Sequence, residues 1–186
     1  MKKFIIGSVH GRFQPLHNGH MKYILEAMRR CDFLWIGITQ YNIRNLKESP
    51  KDPHRQKNFH NPFTYFERLE IIKAALLDSG LSLNQFDIAP FPIDEPNILQ
   101  DFIPINVTIF TTVYDDWNKY KIEILKEHGY KVEVLWEKDT KAIEGIDIRN
   151  QIANGENKWK ENVPATTINF VKKYKIKERL ISFRGY

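Results

Sequence analysis

Hydrophobic positions along the chain follow two different periods. Five short runs are continuously apolar or alternate with period two, as in strands, and they cover residues 3–9, 33–39, 86–91, 107–112 and 130–136. The segments between them place apolar residues at helical spacing, at 19–30, from 61–64 up to Gly80, and at 117–127. Strands that alternate with helices predict an α/β fold with a doubly wound, five-stranded, mainly parallel sheet.

The pattern changes after the fifth predicted strand. Residues 147–155 and 163–174 are predicted to be helical and are followed by no further strand. We therefore expect a single domain over residues 1–186, with an α/β core at 1–140 and a helical C-terminal appendage at 141–186. Residues 40–61 are polar and basic without periodicity, which predicts a long surface loop.

Composition narrows the class of protein. The chain has 186 residues, and its 28 Lys and Arg against 23 Asp and Glu give a formal charge of +5, which favours an anionic partner. No apolar run approaches the roughly 20 residues of a membrane-spanning helix, so we expect no membrane partner. A single cysteine, Cys31, excludes an internal disulfide and predicts a cytoplasmic protein.

Candidate chemistry is concentrated in residues 11–20, at the joint between the first strand and the first helix. Ligands of open α/β sheets bind at the carboxyl ends of the strands, and a helix N-terminus there favours phosphate. His17 and His20 lie three residues apart, so in one helical turn both imidazoles face the same way and can stabilise charge that develops on a phosphate. Gly19 leaves room for close approach of a substrate, and Arg12 adds a charge-assisted contact.

The histidine pair is open to two other interpretations. The segment could be an ordinary helix start with two solvated histidines. A metal site accounts for it less well, because no acidic residue or cysteine lies close to His17 and His20 in the sequence. We therefore predict no protein-bound metal.

The segment Gly11-Arg12-Phe13-Gln14-Pro15-Leu16-His17-Asn18-Gly19-His20 resembles the signature of the H-x-G-H nucleotidyltransferase superfamily, and is most similar to archaeal-type nicotinamide-nucleotide adenylyltransferases. Residues 61–64 with Glu67 and Arg68 resemble the start of the second helix in that family. Residues 145–149 resemble its late phosphate-binding turn. The resemblance implies a Rossmann-like nucleotidyltransferase fold.

The resemblance also implies a reaction. A phosphate oxygen of an acceptor attacks the α-phosphorus of a nucleoside triphosphate in line, pyrophosphate leaves, and Mg²⁺ is carried by the triphosphate. His17, His20 and Arg149 would be the catalytic residues. The implied nucleotide-binding residues are Gly11, Arg12, Phe13, Gln14, Gly19, Gly145, Ile146 and Ile148. The resemblance further implies that copies of the chain can form a homo-oligomer.

The departures from the family pattern concern the late turn and the acceptor. Glu144 precedes Gly145 where the family has a hydroxyl residue, and Gln100 stands where it has a tryptophan that packs on nicotinamide. The predicted acceptor-binding residues are Asn97, Trp117, Arg44 and Arg55. The last two belong to the basic 40–61 loop, which is either a solvated surface or a lid that supplies cations.

Three functions follow as hypotheses. The first is ATP-dependent adenylyl transfer to nicotinamide or nicotinate mononucleotide. The second is CTP-dependent transfer to a small phosphate or phosphonate, because residues 52–55 and 114–117 resemble a bacterial subgroup related to phosphonate cytidylyltransferases. The third is a nucleotide-sensing or nucleic-acid-binding module without catalysis. We expect no nucleic-acid partner, since the basic loop lacks interleaved stacking aromatics.

Overall fold

Five parallel strands form one sheet in the computed structural model, which describes residues 4–46, 57–138, 140 and 142–184. The strands are β1 (Phe4–Gly11), β2 (Cys31–Ile38), β3 (Phe86–Pro90), β4 (Thr108–Val113) and β5 (Lys131–Glu137). Their order in the sheet is β3-β2-β1-β4-β5, and every neighbouring pair is parallel. The strand order therefore reverses between β1 and β4, which is where an open α/β sheet forms its ligand crevice.

Six α-helices accompany the sheet: α1 (Asn18–Met28), α2 (Tyr65–Asp78), α3 (Asp116–Glu127), α4 (Gly145–Asn154), α5 (Ala165–Lys173) and α6 (Ile176–Arg184). Successive strand residues point to opposite faces, so Ile109 and Phe110 of β4 belong to two separate hydrophobic cores. One core takes residues from α1, α2 and the C-terminal helices, and the other takes residues from α3. Helices therefore cover both faces, and the predicted doubly wound α/β fold is confirmed.

Local sequence explains where the helices begin and end. Thr64 and Glu67 form a reciprocal capping box at the start of α2, and the carboxylate of Asp115 accepts the backbone N–H of Asn118 at the start of α3. Gly155 ends α4 with φ of 76°, a left-handed conformation that glycine adopts without steric cost. All five strands and the helices α1 to α5 lie where the hydrophobic pattern predicts them, with ends that differ by a few residues.

The last helix was not predicted from the sequence. Lys175 separates α5 from α6 with φ of 50°, and α6 then buries Ile176 and Leu180 on one face. Arg179 of α6 binds the buried carboxylate of Glu67 through two nitrogens, at 2.7 and 2.8 Å. The helical C-terminal part thus packs against the start of α2, close to the carboxyl edge of the sheet.

The predicted 40–61 loop is only partly described. A short 3-10 turn, Asn58–His60, occupies its end, and residues 47–56 lie outside the described residues. None of the helices in the described ranges combines the length and the apolar character that crossing a membrane requires.

Candidate active site

A large cleft opens at the carboxyl ends of β1, β4 and β5. The ladder between β1 and β4 includes only the pairs Gly7–Thr108 and Ser8–Ile109, so the two strands separate beyond them. The cleft has a volume of about 1340 Å³ and is bordered by the N-terminal turns of α1, α3 and α4. Single-ligand sites commonly measure about 300–1,000 Å³. This cleft therefore has room for two substrates side by side.

Tyr23 of α1 bridges the two strands where they separate. Its hydroxyl donates to the carbonyl of Phe110 in β4 and accepts the backbone N–H of His10 in β1 at 3.4 Å. Burial raises the pKa of the Tyr23 hydroxyl well above its usual value, although the hydrogen bond from His10 acts in the opposite direction. The phenol is therefore a neutral hydrogen-bonding group between β1 and β4.

The two histidines of the motif form a stacked pair at the start of α1. His17 caps the helix, because its Nδ1 accepts the backbone N–H of His20 at 3.3 Å. The two ring centroids lie 3.6 Å apart with 24° between the planes. A Cβ atom at Gly19 would lie 3.0 Å from the His17 ring, which gives a steric reason for glycine there. Since Nδ1 of His17 is an acceptor, its Nε2 carries the proton and is a hydrogen-bond donor.

Arg149 of α4 lies buried at the base of the cleft. One of its nitrogens donates to the carbonyl of Gln14, and another lies 3.4 Å from Nδ1 of His60. Burial, followed by the nearby charge of Arg12, lowers the pKa of Arg149 to about 9, while Asp147 acts in the opposite direction. The guanidinium is still charged at neutral pH, and a desolvated cation of this kind binds an anionic ligand strongly.

Gln14 holds the loop that precedes α1. Its Nε2 donates to the carbonyl of Phe63, and its Oε1 accepts the N–H of Phe63, both at 2.9 Å. Both polar atoms of the Gln14 side chain are therefore hydrogen-bonded to the backbone of a residue 49 positions away. The backbone carbonyl of Gln14 accepts a hydrogen bond from Arg149. Gln14 lines the cleft, where its side-chain amide holds the loop and its backbone carbonyl positions Arg149.

Arg68 was not predicted as a site residue, although its segment resembled a family motif. Its guanidinium is fully buried and donates to the carbonyls of Arg12 at 2.9 Å and of Thr39 and Gln40 at 2.8 Å. Burial lowers the pKa of Arg68 to about 9. One side chain thus fixes the carboxyl ends of β1 and β2 relative to each other. The pairing depends on long-range register and could not be deduced from spacing in the sequence.

The predicted late phosphate-binding turn lines the cleft at the start of α4. Gly145 and Ile146, in the first turn of α4, line the cleft together with Glu144. A Cβ atom at Gly145 would lie 3.0 Å from the Arg149 guanidinium and 3.2 Å from the carbonyl of Gln14. Ile148 does not line the cleft, because its side chain is 1% exposed and lies in the hydrophobic core. The structure therefore gives Ile148 a packing position.

The predicted acceptor-binding residues do not converge. Trp117 lines the cleft beside Tyr114. Asn97 is exposed, lies outside the cleft and has its Oδ1 3.1 Å from Nε2 of His128. Arg44 is exposed and does not line the cleft, and Arg55 lies outside the described residues.

The remaining predicted residues do meet in the cleft: Gly11, Arg12, Phe13, Gly19 and His20 all line it. The structure adds further lining residues that were not among the predicted site residues, most of them at or just after strand ends. They include His10, Thr39, Ile93, Thr112, Tyr114, Trp136 and Lys138. Across the described ranges, no group of three or more His, Cys, Asp or Glu side chains is arranged to hold a metal ion.

Residues 9–151 match the sequence model of the cytidylyltransferase-like family, and this stretch contains the histidine pair, the Gln14 loop and Arg149. The chain belongs to this family. It is 37% identical over 94% of its length to the phosphonoformate cytidylyltransferase of Streptomyces viridochromogenes, of which it covers 94%. It is 33% identical to the nicotinamide-nucleotide adenylyltransferase of Saccharolobus solfataricus, again with 94% of each chain covered.

A solved structure agrees with the fold. The bifunctional NMN adenylyltransferase/ADP ribose pyrophosphatase from Francisella tularensis, complexed with AMP and a manganese ion, superimposes with a TM-score of 0.66 at 21% identity. The superposition covers 96% of this chain and 52% of the Francisella chain. Family membership and the cleft together make this chain a nucleotidyltransferase, and the resemblance inferred from the motif is confirmed.

Proposed function

We propose that the protein transfers a cytidylyl group from CTP to an oxygen of a small phosphonate or phosphate and releases pyrophosphate. The observation that carries the choice of acceptor is the position of Asn97 and Gln100. Both are exposed on the 3-10 turn Pro96–Asp101, and neither lines the cleft that contains His17 and His20. The 37% identity with the phosphonoformate cytidylyltransferase supports the same choice.

The proposed reaction needs cations more than a base. The acceptor oxygen is already anionic, so it attacks the α-phosphorus without losing a proton, and the bond to the bridging oxygen of pyrophosphate breaks on the opposite side. His20 and Nε2 of His17 donate to the α-phosphate oxygens as charge grows on them. Arg149 offsets the repulsion between the anionic substrates, and Lys22, Lys121 and Lys138 add charge along the cleft.

Magnesium belongs to the substrate in this proposal. The ion enters bound to the triphosphate oxygens, and it polarises the pyrophosphate leaving group.

A second candidate is adenylyl transfer from ATP to nicotinamide mononucleotide. It is favoured by Trp117, whose indole lines the cleft and offers a face on which a nicotinamide ring can stack. The 33% identity with the Saccharolobus adenylyltransferase supports it as well. In this reaction the acceptor oxygen belongs to the mononucleotide phosphate, and the roles of the histidine pair and Arg149 are unchanged.

One assay separates the two candidates. Pyrophosphate release is measured for CTP and ATP, each paired with phosphonoformate, methylphosphonate and nicotinamide mononucleotide, and the product masses are recorded. We expect turnover with CTP and a phosphonate, giving the cytidylyl phosphonate. Turnover restricted to ATP with the mononucleotide contradicts the proposal and establishes the second candidate. The His20→Ala variant serves as the control for contaminating activity.

A further inference from the structure

Helix α6 contacts the segment that leads into α2 at two places. At the end nearer to α2, Arg179 donates to the carbonyl of Pro62 and to the buried carboxylate of Glu67. At the other end, the guanidinium carbon of Arg184 lies 5.0 Å from the centre of the Phe59 ring, within the range of a cation–π contact. Both ends of this segment are therefore attached to the same helix.

The guanidinium of Arg184 also binds helix α4. It donates to Oδ1 of Asn154 at 2.7 Å and to Oδ1 of Asn150 at 2.9 Å. Because Phe59 belongs to the 3-10 turn Asn58–His60, which we call the His60 turn, one side chain joins this turn to α4. The contact depends on the shape of arginine, whose planar group can stack on a ring while its nitrogens donate to two separate acceptors.

The His60 turn and α4 meet a second time at the base of the cleft. His60 follows Phe59 in the chain and Arg149 precedes Asn150, and both His60 and Arg149 line the cleft. Nδ1 of His60 lies 3.4 Å from a nitrogen of Arg149. A guanidinium has donors only, so His60 is the acceptor in this contact. The chain neighbours of two residues that Arg184 contacts are thus the pair that meets in the site.

The plane of the Arg149 guanidinium is set by acceptors outside α4. One of its nitrogens donates to the carbonyl of Gln14, and another contacts Nδ1 of His60. A planar group that is held through two nitrogens has a fixed orientation, whereas one bond alone permits rotation about that bond. Arg149 is 2% exposed, so protein contacts and not solvent determine its orientation. A displaced His60 turn would therefore change how this cation is presented to a ligand in the cleft.

We propose that Arg184 is a positioning residue for Arg149. It fixes the His60 turn to α4, so that Nδ1 of His60 stays where it sets the plane in which the Arg149 guanidinium meets the triphosphate oxygens. None of the residues 176–184 of α6 lines the cleft, so the C-terminal helix acts on binding only through these contacts. The inference rests on the part of the proposed function that assigns the triphosphate to Arg149, and it holds for CTP and ATP alike.

The test measures triphosphate binding without turnover. Non-hydrolysable analogues of CTP and ATP are titrated calorimetrically into the full-length wild type, Arg184→Met and Arg184→Lys. For the analogue that the wild type binds more tightly, we expect Arg184→Met to weaken binding by about five- to tenfold, within the range of energies that couple contacting residues. Arg184→Lys should recover only part of this loss, because an ammonium cannot stack on Phe59 and reach both asparagines at once. Equal affinities of Arg184→Met and the wild type overturn the inference.

A matched control tests whether the effect belongs to this position. Lys177 is exposed on the same helix and does not line the cleft, so Lys177→Met removes a cation from α6 and should bind the analogue as the wild type does. Thermal melts of both variants show that each is folded at the temperature of the titration. A loss in Lys177→Met as large as that in Arg184→Met contradicts the inference.

Double variants show whether Arg184 acts through the site. If it does, adding Arg184→Met to Arg149→Met should weaken analogue binding no further, and the same holds for adding it to His60→Ala. A general structural effect of Arg184 would instead multiply with each of these losses. Independent, multiplying losses in both pairs contradict the inference.

The same titrations separate this inference from the proposed function. If Arg149→Met weakens analogue binding and Arg184→Met does not, the inference alone fails. If CTP supports no pyrophosphate release with any acceptor but Arg184→Met and Arg149→Met weaken binding without adding, the proposed function fails and the positioning role stands. If Arg149→Met binds the analogue as the wild type does, the assignment of the triphosphate to Arg149 fails and the inference fails with it.

Discussion

The two sides of the cleft differ in how their polar groups are satisfied. The motif wall, formed by residues 11–20 and the first turn of α4, is closed by hydrogen bonds such as those of Gln14 with Phe63 and of Thr167 with the Leu16 carbonyl. The strand-end wall, formed by residues 39–42 and 91–95, contains Gln40, whose buried amide has no partner within the described ranges. The motif wall is thus anchored to distant segments, although Nε of Arg149 at its base is also buried without a partner among the described residues.

The strongest test of this contrast is removal of one motif imidazole. His20→Ala deletes a donor that the proposed function assigns to the reacting phosphate, and loss of such a donor slows catalysis by about 10²–10³-fold. We expect that reduction in pyrophosphate release with an unchanged melting temperature. His128→Ala is the matched control, because His128 lies outside the cleft and should leave turnover intact. A fully active His20→Ala would show that the reaction centre lies elsewhere.

The next largest effect is expected from removing the charge of Arg149 at the base of the motif wall. Arg149→Met removes charge-assisted contacts, each worth about 1.5–3 kcal/mol, so the KM for the triphosphate should rise roughly 10- to 100-fold. Steady-state kinetics with varied triphosphate concentration measure this effect.

The lysine replacement provides the control for charge alone. Arg149→Lys keeps a cation but lacks the planar fork that reaches the Gln14 carbonyl, so we expect only partial rescue of the triphosphate KM. An Arg149→Met variant whose triphosphate KM matches that of the wild type would contradict a role for this charge in binding.

The effect expected from the loop support is on stability and not directly on turnover. Gln14→Leu leaves the buried N–H and carbonyl of Phe63 unpaired, and each unsatisfied group costs about 1–3 kcal/mol of unfolding free energy. Urea unfolding followed by circular dichroism should show a lower midpoint with an unchanged slope. Gln100→Leu, at an exposed position, should leave the midpoint in place. Equal midpoints for Gln14→Leu and the wild type would contradict a supporting role.

The smallest effect is predicted for Asn97. Its side chain lies outside the cleft beside His128, so Asn97→Ala should leave the KM of every acceptor within about twofold of the wild type, a change below 0.5 kcal/mol. Acceptor titrations at saturating triphosphate measure it. A KM for nicotinamide mononucleotide that rises tenfold in this variant would return Asn97 to the acceptor site and favour adenylyl transfer.

Periodicity was sufficient to predict the sheet and most helices, because buried strands and amphipathic helices have distinct spacings. It failed at α6, since the break at Lys175 carries neither glycine nor proline and the surrounding run is strongly basic. The resemblance predicted that His17, His20, Gly19 and Arg149 belong to one site, and all four line one cleft. Helical spacing alone would have placed Ile148 on the core face with Ile152, but the resemblance assigned it to the nucleotide.

Contacts between segments that are distant along the chain could not be predicted from the sequence. Gln14 meets Phe63 across 49 residues, and Arg68 meets the carbonyls of Arg12 and Thr39 only because β1 and β2 pair in one register. The orphaned amide of Gln40 belongs to the same class, since burial without a partner is visible only in three dimensions.

The phenol of Tyr23 has a consequence for how the enzyme can move. Where β1 and β4 separate, the Tyr23 hydroxyl takes the place of direct hydrogen bonds between the strands and joins the His10 N–H to the Phe110 carbonyl. Tyr23 belongs to α1, the helix that begins at the histidine pair. A sliding of α1 over its substrates would break both bonds and leave two buried backbone groups unpaired. These two hydrogen bonds therefore fix α1 relative to β1 and β4. Any closure of the cleft around the substrates has to come from the other elements that border it, such as the first turns of α3 and α4.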